Sequence, residues 1–336
     1  MTVQYNWTTY GVGVIGHQLA EALQALGGSL YSVGNRTHAK AVAFAQRYGI
    51  AKVYDNPEDM FIDPAVDIIY ISTPHNTHIN LLRKALAAGK HVLCEKSITL
   101  NSAELDEACR LAKEHNVVLM EAMTLYHMPI YQKLQALLRS GKLGRLNLIT
   151  MNFGSYKEWN MENRFFNRSL AGGAMLDIGV YALSFVRWFM SSTPDQLQTQ
   201  VRFAPTGVDE QASLLLKNRE EEMATVMLSL HSKQPKRGTI SCDKAYIELF
   251  EYPRGDEAVI TYTEDGHQEV LKAGKSAEAL AYEVQDMEQA VTALRRGAKP
   301  EAINEITRMD YTRDVMGIMT EARKIWGMRY PEEEKE

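Results

Sequence analysis

The sequence predicts an α/β protein of two domains. The first is a parallel sheet wrapped by helices. The second is an α+β domain with a large, mostly antiparallel open sheet. Three observations carry this expectation. Short apolar runs alternate with amphipathic helical runs through the first 125 residues. A glycine-rich turn, Gly11-Val12-Gly13-Val14-Ile15-Gly16, follows the first of those runs. After Pro129 the pattern changes to longer β-patterned segments joined by polar turns. Strands alternating with helices at this rhythm build βαβ units, whose parallel strands are covered on both faces.

Taken in order, extended segments are expected at Asn6–Tyr10, Ser29–Gly34, Val66–Ser72, His91–Glu95 and Val117–Met123. The Ile68–Ser72 run, IIYIS, has the uninterrupted apolar character of a buried central strand. Between them lie helices at Gln18–Leu26, Ala39–Tyr48, Ile79–Ala88 and Asn101–His115. Gly27, Gly49 and Gly89 terminate the first three, and Asn101-Ser102 is the capping candidate of the fourth. A helix at Ile130–Arg139 ends in the Gly141–Gly144 turn. β-segments follow at Leu146–Tyr156, Leu197–Phe203, Gln211–Leu216, Ala224–His231, Thr239–Phe250 and Ala258–Thr263. Helical segments around Ala277–Arg296 and Ile306–Trp326 close the chain, and the charged tail PEEEKE is expected to fray. The domains are expected at 1–126 and 127–330, with the C-terminal helix able to pack back on the first.

Composition removes several classes of function. With 37 Lys+Arg against 42 Asp+Glu, the net charge of −5 offers no basic surplus for nucleic acid. No apolar run approaches the roughly 20 residues that span a bilayer, and the first residues lack the regions of a secretory signal. Cys94, Cys109 and Cys242 are odd in number and widely spaced, as the reduced thiols of a cytoplasmic protein are. His75 and His78 stand three apart but have no carboxylate or cysteine partner nearby, so they read as helix-entry residues and no metal site is expected. A soluble intracellular protein is expected, and its size is that of an enzyme.

The glycine turn is a G-x-G-x-x-G opening the first helix of a βαβ series. Its first glycine permits the tight turn, its second lets a pyrophosphate approach the backbone, and its third allows close helix–strand packing. That spacing in that place predicts a Rossmann dinucleotide-binding domain. The second strand ends Val33-Gly34-Asn35-Arg36-Thr37-His38, and Ser29–Lys40 contains no acid but offers Arg36, His38 and Lys40. A carboxylate here would hold the ribose 2′-hydroxyl of NAD and repel a 2′-phosphate. An arginine forks onto that phosphate. NADP is therefore favoured over NAD. The plain alternative is a solvated basic turn.

His91–Lys96 reads as a strand ending in Glu95-Lys96 at the carboxyl edge of the parallel sheet, where such folds bind ligands. Downstream, Gly172-Gly173-Ala174-Met175-Leu176-Asp177-Ile178-Gly179-Val180-Tyr181 enters an apolar helix. Asp177 and Tyr181, four apart, share one of its faces. With these pieces, Asp67–His78, Ala88–Lys96, Leu119–Met123 and Leu170–Phe185, the chain resembles the Gfo/Idh/MocA family of NAD(P)-dependent oxidoreductases over nearly its whole length. Tyrosine four residues after the aspartate is similar to the branch containing dimeric dihydrodiol dehydrogenases, NADP-dependent D-xylose dehydrogenases and glucose-fructose oxidoreductase. Two features depart from the family pattern. Ser97 stands where the family has proline, and Thr124–Met128 lacks the tryptophan and arginine of related sequences.

The resemblance implies a set of site residues. Gly11, Gly13, Val14 and Ile15 would meet the pyrophosphate. Asn35, Arg36 and His38 would meet the adenosine ribose. Thr73, Pro74, Asn76, His78, Glu95 and Lys96 would lie beside the nicotinamide half. It also implies a homodimer or homotetramer through the second sheet, for which the sequence supplies helices on one face only.

Catalysis is expected from Lys96, Tyr181 and Asp177. Oxidising a secondary alcohol needs a base for its proton. A phenol near pKa 10 becomes such a base beside an ammonium. Tyr181 is the proton donor and acceptor in this reading, Lys96 tunes it and Asp177 orients the pair. Proton transfer by Lys96 itself is the open variant. Tyr156, Trp159 and Arg164 form the candidate substrate wall, aromatic faces covering the C–H side of a sugar, polyol or cyclic trans-diol. A non-catalytic NAD(P)-binding regulator on the same fold is the second reading.

Overall fold

The computed structural model describes residues 3–334. Its first elements are β1 (Trp7–Tyr10), α1 (Val14–Ala25), β2 (Leu30–Gly34), α2 (His38–Tyr48), β3 (Lys52–Val53), α3 (Asp59–Ile62), β4 (Ile68–Ile71), α4 (His78–Ala87), β5 (His91–Glu95), α5 (Ser102–Glu114) and β6 (Leu119–Ala122). There follow α6 (Thr124–His127), α7 (Pro129–Arg139), β7 (Leu146–Gly154), α8 (Val180–Phe189), β8 (Gln196–Phe203), β9 (Asp209–Lys217) and β10 (Met223–Ser229). The chain continues through β11 (Gln234–Cys242), β12 (Ala245–Phe250), β13 (Glu257–Tyr262), β14 (Gln268–Lys272), α9 (Ala279–Arg295), α10 (Pro300–Thr307) and α11 (Met309–Trp326).

Two compact units result. The first comprises the described residues up to Met123 together with Glu278–Asp310, and the second comprises Thr124–Ala277 with the described residues from Tyr311 onward. A single cut between 126 and 127 therefore misassigns α9 and α10. Leu280, Val284, Met287 and Val291 of α9 join Trp7, Leu19 and Leu23 in the core of the first unit. The Trp7 indole N–H donates to Glu288 on the same helix at 3.0 Å.

The first unit is a six-stranded sheet in the order β3-β2-β1-β4-β5-β6, and every pair in it is parallel. Crossing from β1 outward in both directions creates the switch point at which such sheets bind ligands. Asn101 accepts from the Glu104 amide at 3.0 Å, the cap its position predicts. All of β4 is buried, as a central strand should be.

The second unit is an eight-stranded sheet in the order β14-β13-β12-β11-β7-β10-β9-β8, antiparallel except for β10 against β7. Its inner residues, Ile149, Met151, Ala224, Val226 and Leu228, are fully buried, and α8 packs against β7 and β10. The expected strand Thr239–Phe250 is two strands, β11 and β12, paired antiparallel across an Asp243-Lys244 turn. The expected helix Ile306–Trp326 breaks at Arg308, which takes a left-handed φ of 54° between α10 and α11.

The tail also departs from expectation. Pro331–Glu334 forms a 3-10 turn, and Glu333 is paired with the buried Arg323 guanidinium at 2.7 Å. Lys335 and Glu336 lie outside the described residues. Among the described residues one helical stretch, Arg168–Phe189, is long and apolar enough to cross a membrane, contrary to the reading of the sequence. It is 83% buried, however, which is the state of a core helix.

Candidate active site

The glycine turn has the shape of a phosphate cradle. Gly11 has φ of +115°, and a Cβ there would stand 2.7 Å from the Ser72 hydroxyl oxygen. A Cβ on Gly16 would stand 2.8 Å from the Gly11 carbonyl oxygen, so only glycine lets α1 pack this close. At Gly13, by contrast, a Cβ would meet nothing within 4 Å. That open direction lies at the start of α1, where no side chain caps the helix and Val14 is 78% exposed. Unfilled space beside uncapped amides at a helix N-terminus fits a bound pyrophosphate. Ile15 follows, half-buried.

Arg36 is exposed beyond the end of β2, and the Asn35 side chain donates to the Thr37 carbonyl at 3.0 Å, shaping that turn. His38 begins α2, with ring Nδ1 3.2 Å from the Tyr54 carbonyl and Nε2 3.7 Å from Asp55. Asp55 is an acid that the Ser29–Lys40 window does not reveal, because it arrives from the far end of β3.

Around the carboxyl ends of β4 and β5 the loops are tied together. Thr73 and Thr77 share a hydroxyl contact of 2.6 Å, after Pro74 and around the 3-10 turn His75–Thr77 that contains Asn76. His75 Nε2 lies 3.1 Å from the Lys96 carbonyl. The buried His78 ring reaches the Thr73 carbonyl at 2.8 Å and the Ser97 carbonyl at 3.1 Å. Burial lowers its pKa, against the pull of the carbonyls of Thr73, Ser97 and Ile98. A neutral ring donates to only one of its two carbonyls. Glu95 accepts from the Tyr70 hydroxyl and, at 3.3 Å, from the Lys96 amide. The Lys96–Ser97 peptide is cis, and Lys96 is half-buried at the end of β5.

In the second unit, Asp177 lies in a π-helical turn, Met175–Gly179, that runs directly into α8. Asp177 is 9% exposed, and Arg164 approaches its carboxylate at 3.5 Å. The Tyr181 ring lies 6.2 Å from that of Phe153 on β7. Tyr156 stacks on His231 at 5.7 Å, and Trp159 meets the same histidine at 4.4 Å. Both rings keep exposed faces, 60% for Tyr156 and 42% for Trp159. Arg164 therefore lies beside Asp177, and Tyr156 and Trp159 flank His231, a residue the sequence did not single out. Tyr126, in the stretch that departs from the family pattern, is a core residue whose hydroxyl donates to Ser184 on α8 at 3.0 Å. No group of three or more His, Cys, Asp or Glu side chains among the described residues could hold a metal ion.

Comparison with known proteins identifies the family. Residues 6–123 match the model of the oxidoreductase family with an NAD-binding Rossmann fold, and residues 131–248 match the GFO/IDH/MocA C-terminal domain. The chain is 28% identical over 335 residues to a trans-1,2-dihydrobenzene-1,2-diol dehydrogenase of Xenopus tropicalis, covering 97% of this chain and 99% of that protein. The Danio rerio enzyme of the same name is 30% identical over 239 residues, 70% of this chain and 71% of its own. KijD10, a 3-ketoreductase from Actinomadura kijaniata solved with NADP and TDP-benzene, has the same fold. It has a TM-score of 0.82 at 20% identity, covering 95% of this chain and 97% of that one. These proteins are named as dehydrogenases and a ketoreductase, which does not favour the non-catalytic reading. The chain belongs to the Gfo/Idh/MocA oxidoreductase family, as an NAD(P)-binding enzyme acting on CH–OH groups.

Proposed function

We propose that the chain is an NADP-dependent oxidoreductase whose substrate is a sugar, polyol or cyclic trans-diol, interconverted between hydroxyl and carbonyl. The observation that carries the reading is the cradle at Gly13, open at an uncapped helix N-terminus, with exposed Arg36 just beyond the next strand. The diol named for the Xenopus tropicalis relative and the NADP in the KijD10 crystals support the choice of substrate and cofactor.

When bound, the nicotinamide supplies or receives the hydride. The chain's own residues hold the substrate and move the proton. Tyr181 takes the hydroxyl proton during oxidation and returns it during reduction. Lys96 favours the phenolate form by its charge, and Asp177, held by Arg164, orients the pair. The Tyr156–Trp159 shelf covers the C–H face of the substrate ring.

Two further expectations belong to this reading. Leu148, Leu215, Met223 and Met227 share the outer face of the second sheet and are 37%, 37%, 38% and 40% exposed, so that face pairs with a second copy of the chain. Cys94 and Cys242 are buried free thiols, as suits a cytoplasmic protein.

The test is to screen NADP reduction by the purified chain against aldoses, polyols and trans-dihydrodiols, following nicotinamide absorbance. Tight NADPH binding with no substrate-dependent change at any pH contradicts the reading.

A further inference from the structure

The helix that carries Asp177 and Tyr181 begins at a turn gripped from two distant parts of the chain. Gly172 and Gly173 form that turn. A Cβ on Gly172 would stand 2.7 Å from the Arg164 carbonyl oxygen. Gly173 has φ of +126°, and a Cβ there would stand 2.2 Å from a carboxylate oxygen of Asp209. Asp209, the first residue of β9, is fully buried, and its other oxygen accepts the Met175 amide at 2.6 Å. Met175 is the first residue of the π-helical turn, two before Asp177. On the carbonyl side, the fully buried Tyr330 donates its hydroxyl to the Gly172 carbonyl at 2.7 Å.

Tyr330 is itself held in place. Its amide donates to Glu333 at 2.8 Å, Glu333 grips Arg323 through both oxygens, and the Arg323 guanidinium lies 4.9 Å from the Tyr330 ring centre. A neutral cap such as serine would satisfy a helix amide without burying a carboxylate. Here one Asp209 oxygen has no hydrogen-bond partner among the described residues, a costly arrangement unless the charge has a use.

We propose that Asp209 and Tyr330 are positioning residues of the reaction. They form a brace that fixes the Gly172-Gly173 turn and so sets the placement of Asp177 and Tyr181. The proposal rests on the catalytic role given to those two residues above. Misplacing a reacting group by a fraction of an ångström lowers turnover without touching substrate. The charge on Asp209 matters to the grip, because a carboxylate holds a helix-start amide more strongly than a neutral acid does. Burial pushes the Asp209 carboxyl up to about 7, against the Met175, Asp209 and Ala174 amides and the charge of Arg323. Tyr330 beside it faces Arg323, Glu333 and Glu332 of the same C-terminal segment. Protonation below neutral pH weakens the bond to Met175, so the brace loosens as pH falls through about 7.

Asp209→Asn and Tyr330→Phe in the full chain test this, with Lys96→Met made alongside. Both brace variants are expected to bind NADPH within about twofold of wild type, since the cradle is untouched, and to lose roughly tenfold or more in kcat. The acid limb of the kcat profile, centred near pH 7 in the wild type, is expected to flatten in Asp209→Asn. Tyr330→Phe removes one hydroxyl and no volume, so it decides the matter should Asp209→Asn fail to fold. Wild-type kcat and an unchanged pH profile in the folded variants would overturn the brace, whatever happens to their melting temperatures. Turnover retained by Lys96→Met would instead defeat the underlying chemistry.

Discussion

Gly13→Ala and Gly16→Ala separate cofactor binding from folding, because the two glycines do opposite things. Gly13 has φ of −76° and ψ of −173°, an extended conformation that alanine adopts without strain. Its new methyl would meet no atom of the described residues within 4 Å. Reduced freedom in the unfolded chain then leaves stability unchanged or raises it by about 0.4–1 kcal/mol. The same methyl fills the space at the α1 N-terminus where a pyrophosphate approaches the amides. Losing one charge-assisted hydrogen bond there costs about 1.5–3 kcal/mol, roughly a 10- to 100-fold loss of NADPH affinity.

Gly16→Ala drives a methyl to 2.8 Å from the Gly11 backbone oxygen. Neither group can yield, so about 1–3 kcal/mol of stability is lost as α1 shifts off the sheet. Thermal melts and NADPH quenching of tryptophan fluorescence distinguish the two variants. A Gly13→Ala protein that is stable and still binds NADPH as tightly as wild type refutes the cradle.

Three other substitutions probe the remaining assignments. Arg36→Ala is expected to weaken NADPH binding by roughly 10-fold or more while sparing NADH, and equal losses on both would remove the argument for NADP. Tyr181→Phe should lower kcat by about 100-fold or more with NADPH affinity preserved, and near wild-type turnover would take the proton-transfer role from it. His91→Gln addresses pH. Burial and the Arg295 charge push the His91 ring down to about 4, and its Nδ1 accepts the Val118 amide at 2.9 Å, which only a neutral ring can do. The folded pKa lies below the unfolded value near 6.5, so this stability is complete above that value and is lost as pH falls toward 4. Between pH 8 and pH 5 it amounts to about 2 kcal/mol, and urea midpoints should show a shallower pH dependence in His91→Gln.

The parts of the molecule visible in the sequence are those set by local spacing. Strand–helix alternation fixes the order of the first sheet's units, and three glycines at fixed offsets identify a turn from steric need alone. What the sequence hides depends on partners far along the chain. The α9 pattern announces a helix but not which sheet it joins. Asp209 looks like one acid beginning a strand, and only the fold brings it to Met175. Tyr330 likewise sits in a tail whose glutamates suggest a solvated end, until Arg323 captures Glu333. The sequence does not announce the β11–β12 turn, because Asp243-Lys244 contains no glycine, or the break at Arg308, because arginine is a rare residue for a left-handed φ. For the reactive residues, the sequence supplies identity and helix face, while the partners that hold them are tertiary.

Thr8 and Thr9, polar residues in the strand before the glycine turn, show how a tertiary partner resolves a local oddity. Both are fully buried in β1, where an unpaired hydroxyl costs about 1–3 kcal/mol. Thr9 donates to the Gly11 carbonyl at 2.9 Å, inside the turn itself. Thr8 contacts the Ser32 hydroxyl on β2 at 2.5 Å, and Ser32 donates to the Tyr54 hydroxyl at 3.2 Å. Tyr54 in turn donates to Asp63 at 2.7 Å, and the Lys52 ammonium closes the chain on the same carboxylate. Burial alone would raise the Asp63 pKa, but Lys52, Tyr54 and the Ala65 amide together hold it down at about 2. The line of hydroxyls therefore ends on a fixed charge and each member has a partner, which is the condition under which a buried polar network is stable. It also joins β1 to β2 and to the segments bearing Lys52, Tyr54 and Asp63. Valine at positions 8 and 9 would satisfy the usual pattern of the motif and leave Ser32 without its Thr8 contact, so the threonines belong to this network as much as the glycines belong to the turn.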